Sequence, residues 1–284
     1  IGAFLYLTAF PLGAAEPSVV GPDLLNMADG RERLSHSIDF LASFDSRMTG
    51  QPGNAAAADW IEAQLQALDL GGVVHRETFP VTVPAELGGS RLLVKAWGET
   101  VALYGLWPNG PRTTTVPPEG VAAPMTWVGN GEYSDFDGQQ IDGRIVLMEF
   151  NSWDHWVRLA ALGARAVVFV EPEATSYRQT LDKYLEAPID VPRFWIGADD
   201  GNRLRRRLLD GPEVDVHLHS RMDWVQRPAW NIWVEVPAAG ADSVLAAERI
   251  IVEAYYDGIS IAPSLAPAAE AAASAAALLE LARH

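Results

Sequence analysis

The run Gly143-Arg144-Ile145-Val146-Leu147-Met148 becomes continuously apolar after its first two residues, as a strand buried on both faces must be. A helical segment from Trp153 to Leu162 follows, then a turn at Gly163, then a second buried run, Ala166-Val167-Val168-Phe169-Val170. Strand, helix and strand in this order make a β-α-β unit, and such a unit needs a small α/β module with a core of its own. The surroundings agree with this reading. From Pro84 to about Met222 proline and glycine are frequent, and the other β-like runs, Arg91 to Ala96 and Val101 to Trp107, are short.

The flanks have a different texture. Leu34, Ile38 and Leu41 recur at helical spacing, and a loop from Asp45 to Asn54 leads to a second amphipathic helix. There Trp60, Ile61, Leu65 and Leu68 carry the buried stripe and Gly71-Gly72 supplies the stop. Val73 to Val83 then alternates like a strand. Beyond the module, Asn231 to Val236 and Arg249 to Ala254 read as core strands, and the alanine-rich stretch Ala268 to Arg283 as a long helix. No internal repeat is visible. With 284 residues, 49% of them hydrophobic, the chain exceeds one typical domain and can bury a substantial core.

Charge narrows the classes of partner. Lys+Arg 21 against Asp+Glu 37 leaves a net charge of −16, which repels phosphate backbones and excludes nucleic acid. Lys95 and Lys183 are the only lysines, so anionic lipid headgroups are poor partners too. The arginine-rich run 202–207 reads as a solvated helix face. The absence of cysteine excludes disulfides, a thiolate nucleophile and a cysteine-ligated zinc site. Residues 1–15 are uncharged and end in small residues, like a signal-peptide core or the outer half of a membrane helix, against the plainer reading of a helix packed on the protein's own core. Fifteen residues of helix reach roughly 22 Å, short of a ~30 Å hydrocarbon layer. The start without methionine and the helical ending at His284 suggest part of a longer chain.

Several segments, taken in order, resemble one family: the zinc aminopeptidases with a co-catalytic two-metal site, the group that includes glutamate carboxypeptidase and the transferrin receptor. Leu41-Ala42-Ser43-Phe44-Asp45-Ser46-Arg47-Met48-Thr49-Gly50-Gln51-Pro52-Gly53 is similar to the family's early S-R-x-T-G-x-P-G loop. The stretch 87–222 resembles the protease-associated module that many of these peptidases carry as an insertion, through Ile141 to Leu147, Leu162 to Val168 and Val191 to Ile196. From Asn231 onward the chain resembles the start of the metal-binding half, where a strand delivers A-H-x-D and a later helix reads A-A-L-L-E-L-A-R. Ala254-Tyr255-Tyr256-Asp257 and Ala276-Ala277-Leu278-Leu279-Glu280-Leu281-Ala282-Arg283 stand in those places. The fold class implied is α/β: a partial aminopeptidase-like α/β/α domain at 23–86 and 223–284, interrupted by a protease-associated module at 87–222 and preceded by the apolar segment 1–22.

The metal positions depart from the family. Its first histidine ligand falls on Tyr255 and its bridging aspartate on Glu270, with Ala268, Ala269 and Ala271 beside it. Zinc takes imidazole nitrogen or carboxylate oxygen at about 2.0–2.2 Å, and a neutral phenol is a poor substitute. The extra methylene of Glu270 displaces a carboxylate that would have to bridge two ions about 3.5–4 Å apart. Asp257 matches the aspartate that orients the missing histidine, so that role is empty. The family's remaining ligands and its catalytic glutamate would lie beyond His284. No catalytic residue, metal or other cofactor is therefore expected in this chain.

Other chemistry is sparse. His217-Leu218-His219 puts two imidazoles on one strand face, a chelating spacing but away from any acidic cluster, while His36, His75 and His155 lack visible partners. Neither a nucleophile elbow nor a phosphate-binding glycine loop occurs. Of ten tryptophans, Trp224, Trp230 and Trp233 lie close together and are candidate anchors for a partner protein or membrane interface, against ordinary packing. The expectation is an exported, periplasmic or extracellular, non-catalytic binding or scaffold subunit of a larger assembly, a membrane complex included, with membrane contact through residues 1–15. The alternative is part of an exported zinc aminopeptidase, in which a glutamate would act as general base on a water held between two zinc ions.

Overall fold

A computed structural model describes residues 4–9, 28–211, 213–236 and 250–283. In chain order the strands are β1 (Phe4–Ala9), β2 (Val74–Glu86), β3 (Ser90–Val94), β4 (Glu99–Gly105), β5 (Val121–Trp127), β6 (Ile145–Glu149), β7 (Ala166–Val170), β8 (Arg193–Ile196), β9 (Val214–His219), β10 (Met222–Val236) and β11 (Ile250–Tyr255). The helices are α1 (Ala28–Ala42), α2 (Pro52–Ala67), α3 (Trp156–Ala161), α4 (Tyr177–Leu181), α5 (Ala198–Asp210) and α6 (Ala269–Leu281). Two compact units result: Ile1–Val83 with Gln226–Ser260 and Leu265–His284, and Pro84–Val225 with Ile261–Ser264.

The first unit carries a four-stranded sheet in the order β11-β1-β10-β2. Leu41, Ala57, Ala58, Ile61 and Leu65 from α1 and α2 meet Ile232 and Val234 of β10, Tyr256, and Ala272, Ala275, Leu278 and Leu279 of α6 in one buried cluster. In α2 and α6 the buried residues recur three or four apart, and in α1 the partly buried Ile38 joins Leu41 at the same spacing, so one face of each helix packs inward. The small residues of α6 let its axis lie close to α1, where the Arg33 guanidinium donates to the buried Glu280 carboxylate.

At the N-terminus the structure corrects the sequence reading. Phe4–Ala9 is not a helix but a strand, parallel to β10 with Leu5 opposite Ile232 and antiparallel to β11 with Phe4 opposite Tyr255. A short apolar run has no periodicity that separates strand from helix, and here pairing on both sides decides. Residues 1–3 and 10–27, which hold the rest of the apolar segment and its linker, lie outside the described residues, as do Arg249 and His284. Among the described residues no helix is long and apolar enough to cross a membrane.

The second unit is a closed barrel in the order β3-β4-β8-β7-β6-β5-β9. Strands β5 to β8 run parallel, Met125 pairing with Ile145, Ile145 with Ala166 and Val168 with Phe194, and the expected β-α-β unit sits among them. Its strands are almost wholly buried, which is why they read as unbroken apolar runs. Leu92, Leu147, Val168, Phe194, Leu204 and Val216 belong to its core. The arginine-rich run lies on α5 as expected, with Leu204 turned inward and Arg206 exposed.

Lys183 of this unit is fully buried beside Phe150 and Phe169, and burial lowers its pKa from 10.5 to about 8. A cation whose folded pKa lies below its unfolded one binds fewer protons when folded, so stability rises with pH between the two values. Urea midpoints measured from pH 7 to 10.5 should climb for the natural chain and climb less for Lys183→Met. Equal slopes would show that Lys183 titrates normally.

Candidate functional site

The loop between α1 and α2 and the segment between β11 and α6 are stitched together strand-fashion. Ser46 bridges Ala266 and Met48 bridges Gly258, both parallel. Arg47 N–H donates to Ala266 O at 2.9 Å, Gly258 N–H to Arg47 O at 3.0 Å, and Ala266 N–H to Asp45 O at 2.8 Å. Gly53 belongs to the same joint, because a Cβ there would run into the Ser46 carbonyl. Gly50 has φ +86 and faces Val83 and Arg227, so its place also requires glycine.

The Arg47 side chain closes the joint. It is fully buried, and its guanidinium donates to the carbonyls of Leu41, of Tyr256 at 3.1 Å and of Ala268 at 2.7 Å. Those carbonyls end α1, follow β11 and precede α6. Desolvation lowers the Arg47 pKa to about 10, opposed by Asp257, so the group stays charged at neutral pH. Ala268 accepts this bond in a left-handed conformation, φ 49 and ψ 58, which costs a non-glycine residue about 1–2 kcal/mol. The constraint from Arg47 and from the first turn of α6 holds it there.

Asp257 is half-buried, and its Oδ2 accepts a 2.7 Å hydrogen bond from the buried Thr49 hydroxyl. Tyr255, at the end of β11, is 54% exposed. Glu270 lies exposed in the first turn of α6. Among the described residues no group of three or more histidine, aspartate or glutamate side chains is placed to hold a metal ion.

The remaining candidates are elsewhere. Trp230 lies under the Arg76 guanidinium at 4.5 Å, Trp233 stacks on His75 at 5.2 Å, and Trp224, 39% exposed, donates its ring N–H to Pro111 O. His217 and His219 sit on β9 with ring centroids 4.1 Å apart, and His217 Nε2 is bonded to Glu119 O. His155 Nδ1 meets Asn130 O at 3.0 Å, and His36 is exposed on α1. Sequence reasoning missed the work of Arg47. Its one signal was an arginine inside a loop otherwise fit to be buried.

No family model matches the chain, and no curated protein matches it either. Solved structures do. A peptidase M28 precursor from Shewanella amazonensis is 16% identical with a TM-score of 0.50, over 74% of this chain and 51% of that one. The aminopeptidase from Aneurinibacillus sp. strain AM-1 is 18% identical, TM-score 0.46, over 93% and 60%. BSAP, a zinc aminopeptidase from Bacillus subtilis, is 18% identical, TM-score 0.47, over 71% and 46%. The chain thus spans between 46% and 60% of the length of these structures.

Arg47→Ala should strand three carbonyls and destabilise the first unit by about 3 kcal/mol or more, and Thr49→Val by about 1–2 kcal/mol. Urea denaturation reads both, and a change within about 0.5 kcal/mol for Arg47→Ala would remove it from the centre of the joint. On the likeness to the Shewanella structure, the fold of this chain is aminopeptidase-like, of the α/β class.

Proposed function

We propose that the chain is a non-catalytic, peptidase-like protein that serves as a binding or scaffold subunit. The observation that carries the reading is the engagement of Asp257: its carboxylate receives the Thr49 hydroxyl within the Arg47 joint, two residues after Tyr255, where the family resemblance implies a histidine. Zinc does not fit the residues present. A phenol replaces an imidazole at Tyr255, and Glu270 lies exposed in the first turn of α6.

The second unit is read as the protease-associated module, and its closed barrel with a β-α-β unit inside supports that reading. An exported location belongs to the proposal through the uncharged residues 1–15, although the pairing of Phe4–Ala9 in a sheet argues against their use as an anchor. The competing reading, part of a zinc aminopeptidase, has in its favour the aminopeptidase-like fold and the carboxylates of Asp257 and Glu270.

The two readings separate when the purified protein is incubated with zinc, dialysed, and assayed for bound metal and for hydrolysis of an aminoacyl anilide. The proposal expects no stoichiometric zinc and no hydrolysis above the uncatalysed rate. Bound zinc that drops on Asp257→Asn, together with hydrolysis, would establish the peptidase instead.

A further inference from the structure

Trp153 was expected to begin a helix, yet α3 starts only at Trp156 and Trp153 itself has φ +49. A bulky residue enters the left-handed region only when its surroundings hold it there. The Trp153 N–H donates to Gln179 Oε1 at 2.9 Å, and its carbonyl accepts from Lys183 Nζ. Gln179 is 8% exposed and Lys183 is fully buried. Two buried polar side chains thus clamp the backbone, and the indole they present is 50% exposed.

The neighbourhood continues the patch. Asn151 donates to Ala174 O at 2.8 Å and accepts from Thr175 Oγ1 at 2.7 Å, tying the loop after β6 to the loop after β7. These strands are parallel, so both loops leave their carboxyl ends, the side where α/β sheets receive ligands. Tyr177 and Leu181, on α4 beside Gln179, are 78% and 43% exposed.

Charge says what fits there. Arginine guanidinium groups already cover Trp97 at 3.7 Å, Trp127 at 5.7 Å, Trp156 at 4.7 Å and Trp230 at 4.5 Å. Among the described residues none covers Trp153. The exposed residues along the two loops include Asp154, Glu171 and Glu173, and Arg178 of α4 is paired with Asp182 at 3.2 Å. Glu171 also accepts from Ala198 N–H. An uncovered indole among carboxylates, in a chain of net charge −16, complements a cation.

We propose that Trp153, with Tyr177 and the carboxylates of Asp154 and Glu173, forms a docking surface for an arginine- or lysine-bearing segment of a protein partner, the cation seated over the Trp153 ring. This surface is in the second unit and does not depend on whether zinc is bound in the first.

The test is titration of the whole chain with a tetra-arginine peptide at physiological salt, against a tetra-glutamate control. Trp153→Ala should weaken the arginine peptide about three- to fivefold, Trp153→Phe less, and Trp224→Ala not at all. Unchanged melting of Trp153→Ala shows that the fold persists. Should that variant fail to fold, Asp154→Asn with Glu173→Gln must weaken binding instead. Equal affinity in all variants, no binding by the natural chain, or a concentration-dependent dimer lost in Trp153→Ala would each overturn the proposal, the last in favour of a second copy as occupant.

Discussion

One guanidinium holds the first unit together. Arg47 has no carboxylate as its main partner. It spends its donors on three backbone carbonyls from segments far apart in sequence, those of Leu41, Tyr256 and Ala268. Burying an arginine is costly unless each donor finds an acceptor, and carbonyls at the ends of helices and strands also cost free energy when buried unsatisfied. Each side of the contact therefore requires the other. The planar fork suits this work in a way that a lysine ammonium, a single point, does not.

The site follows from that joint. Because Arg47 aligns the loop 45–50 beside residues 256–258, Thr49 comes within hydrogen-bonding distance of Asp257. The same contact fixes Ala268 in its left-handed turn and so sets where α6 begins and where Glu270 points. The segment from Tyr256 to Ala268 is thus bound into the protein's own packing. The balance between Arg47 and Asp257 is also electrostatic: the carboxylate opposes the loss of charge that burial would otherwise impose on the guanidinium.

Much of the architecture was legible in the sequence, and for identifiable reasons. β6 and β7 are buried on both faces and read as unbroken apolar runs, and α2 carries its stripe openly, although it ends at Ala67 with Asp69 at φ 47, before the Gly71-Gly72 pair expected to stop it. That Phe4–Ala9 is a strand was not legible because its pairing with β10 and β11 is a non-local fact. The helix start at Trp153 was misjudged because Gln179 and Lys183, remote in sequence, hold its backbone. At the site, identity was readable and geometry was not: Tyr255, Asp257 and Glu270 are singled out by the resemblance, whereas the bond between Thr49 and Asp257 depends on residues 208 apart.

The central proposal is that Asp257 serves the fold and not a metal. It is tested most directly by the melting temperature of the purified chain with excess zinc and with a chelator, since a ligand that binds only the folded state must raise it. The account expects the two to coincide. A rise with zinc that Asp257→Asn removes would contradict it.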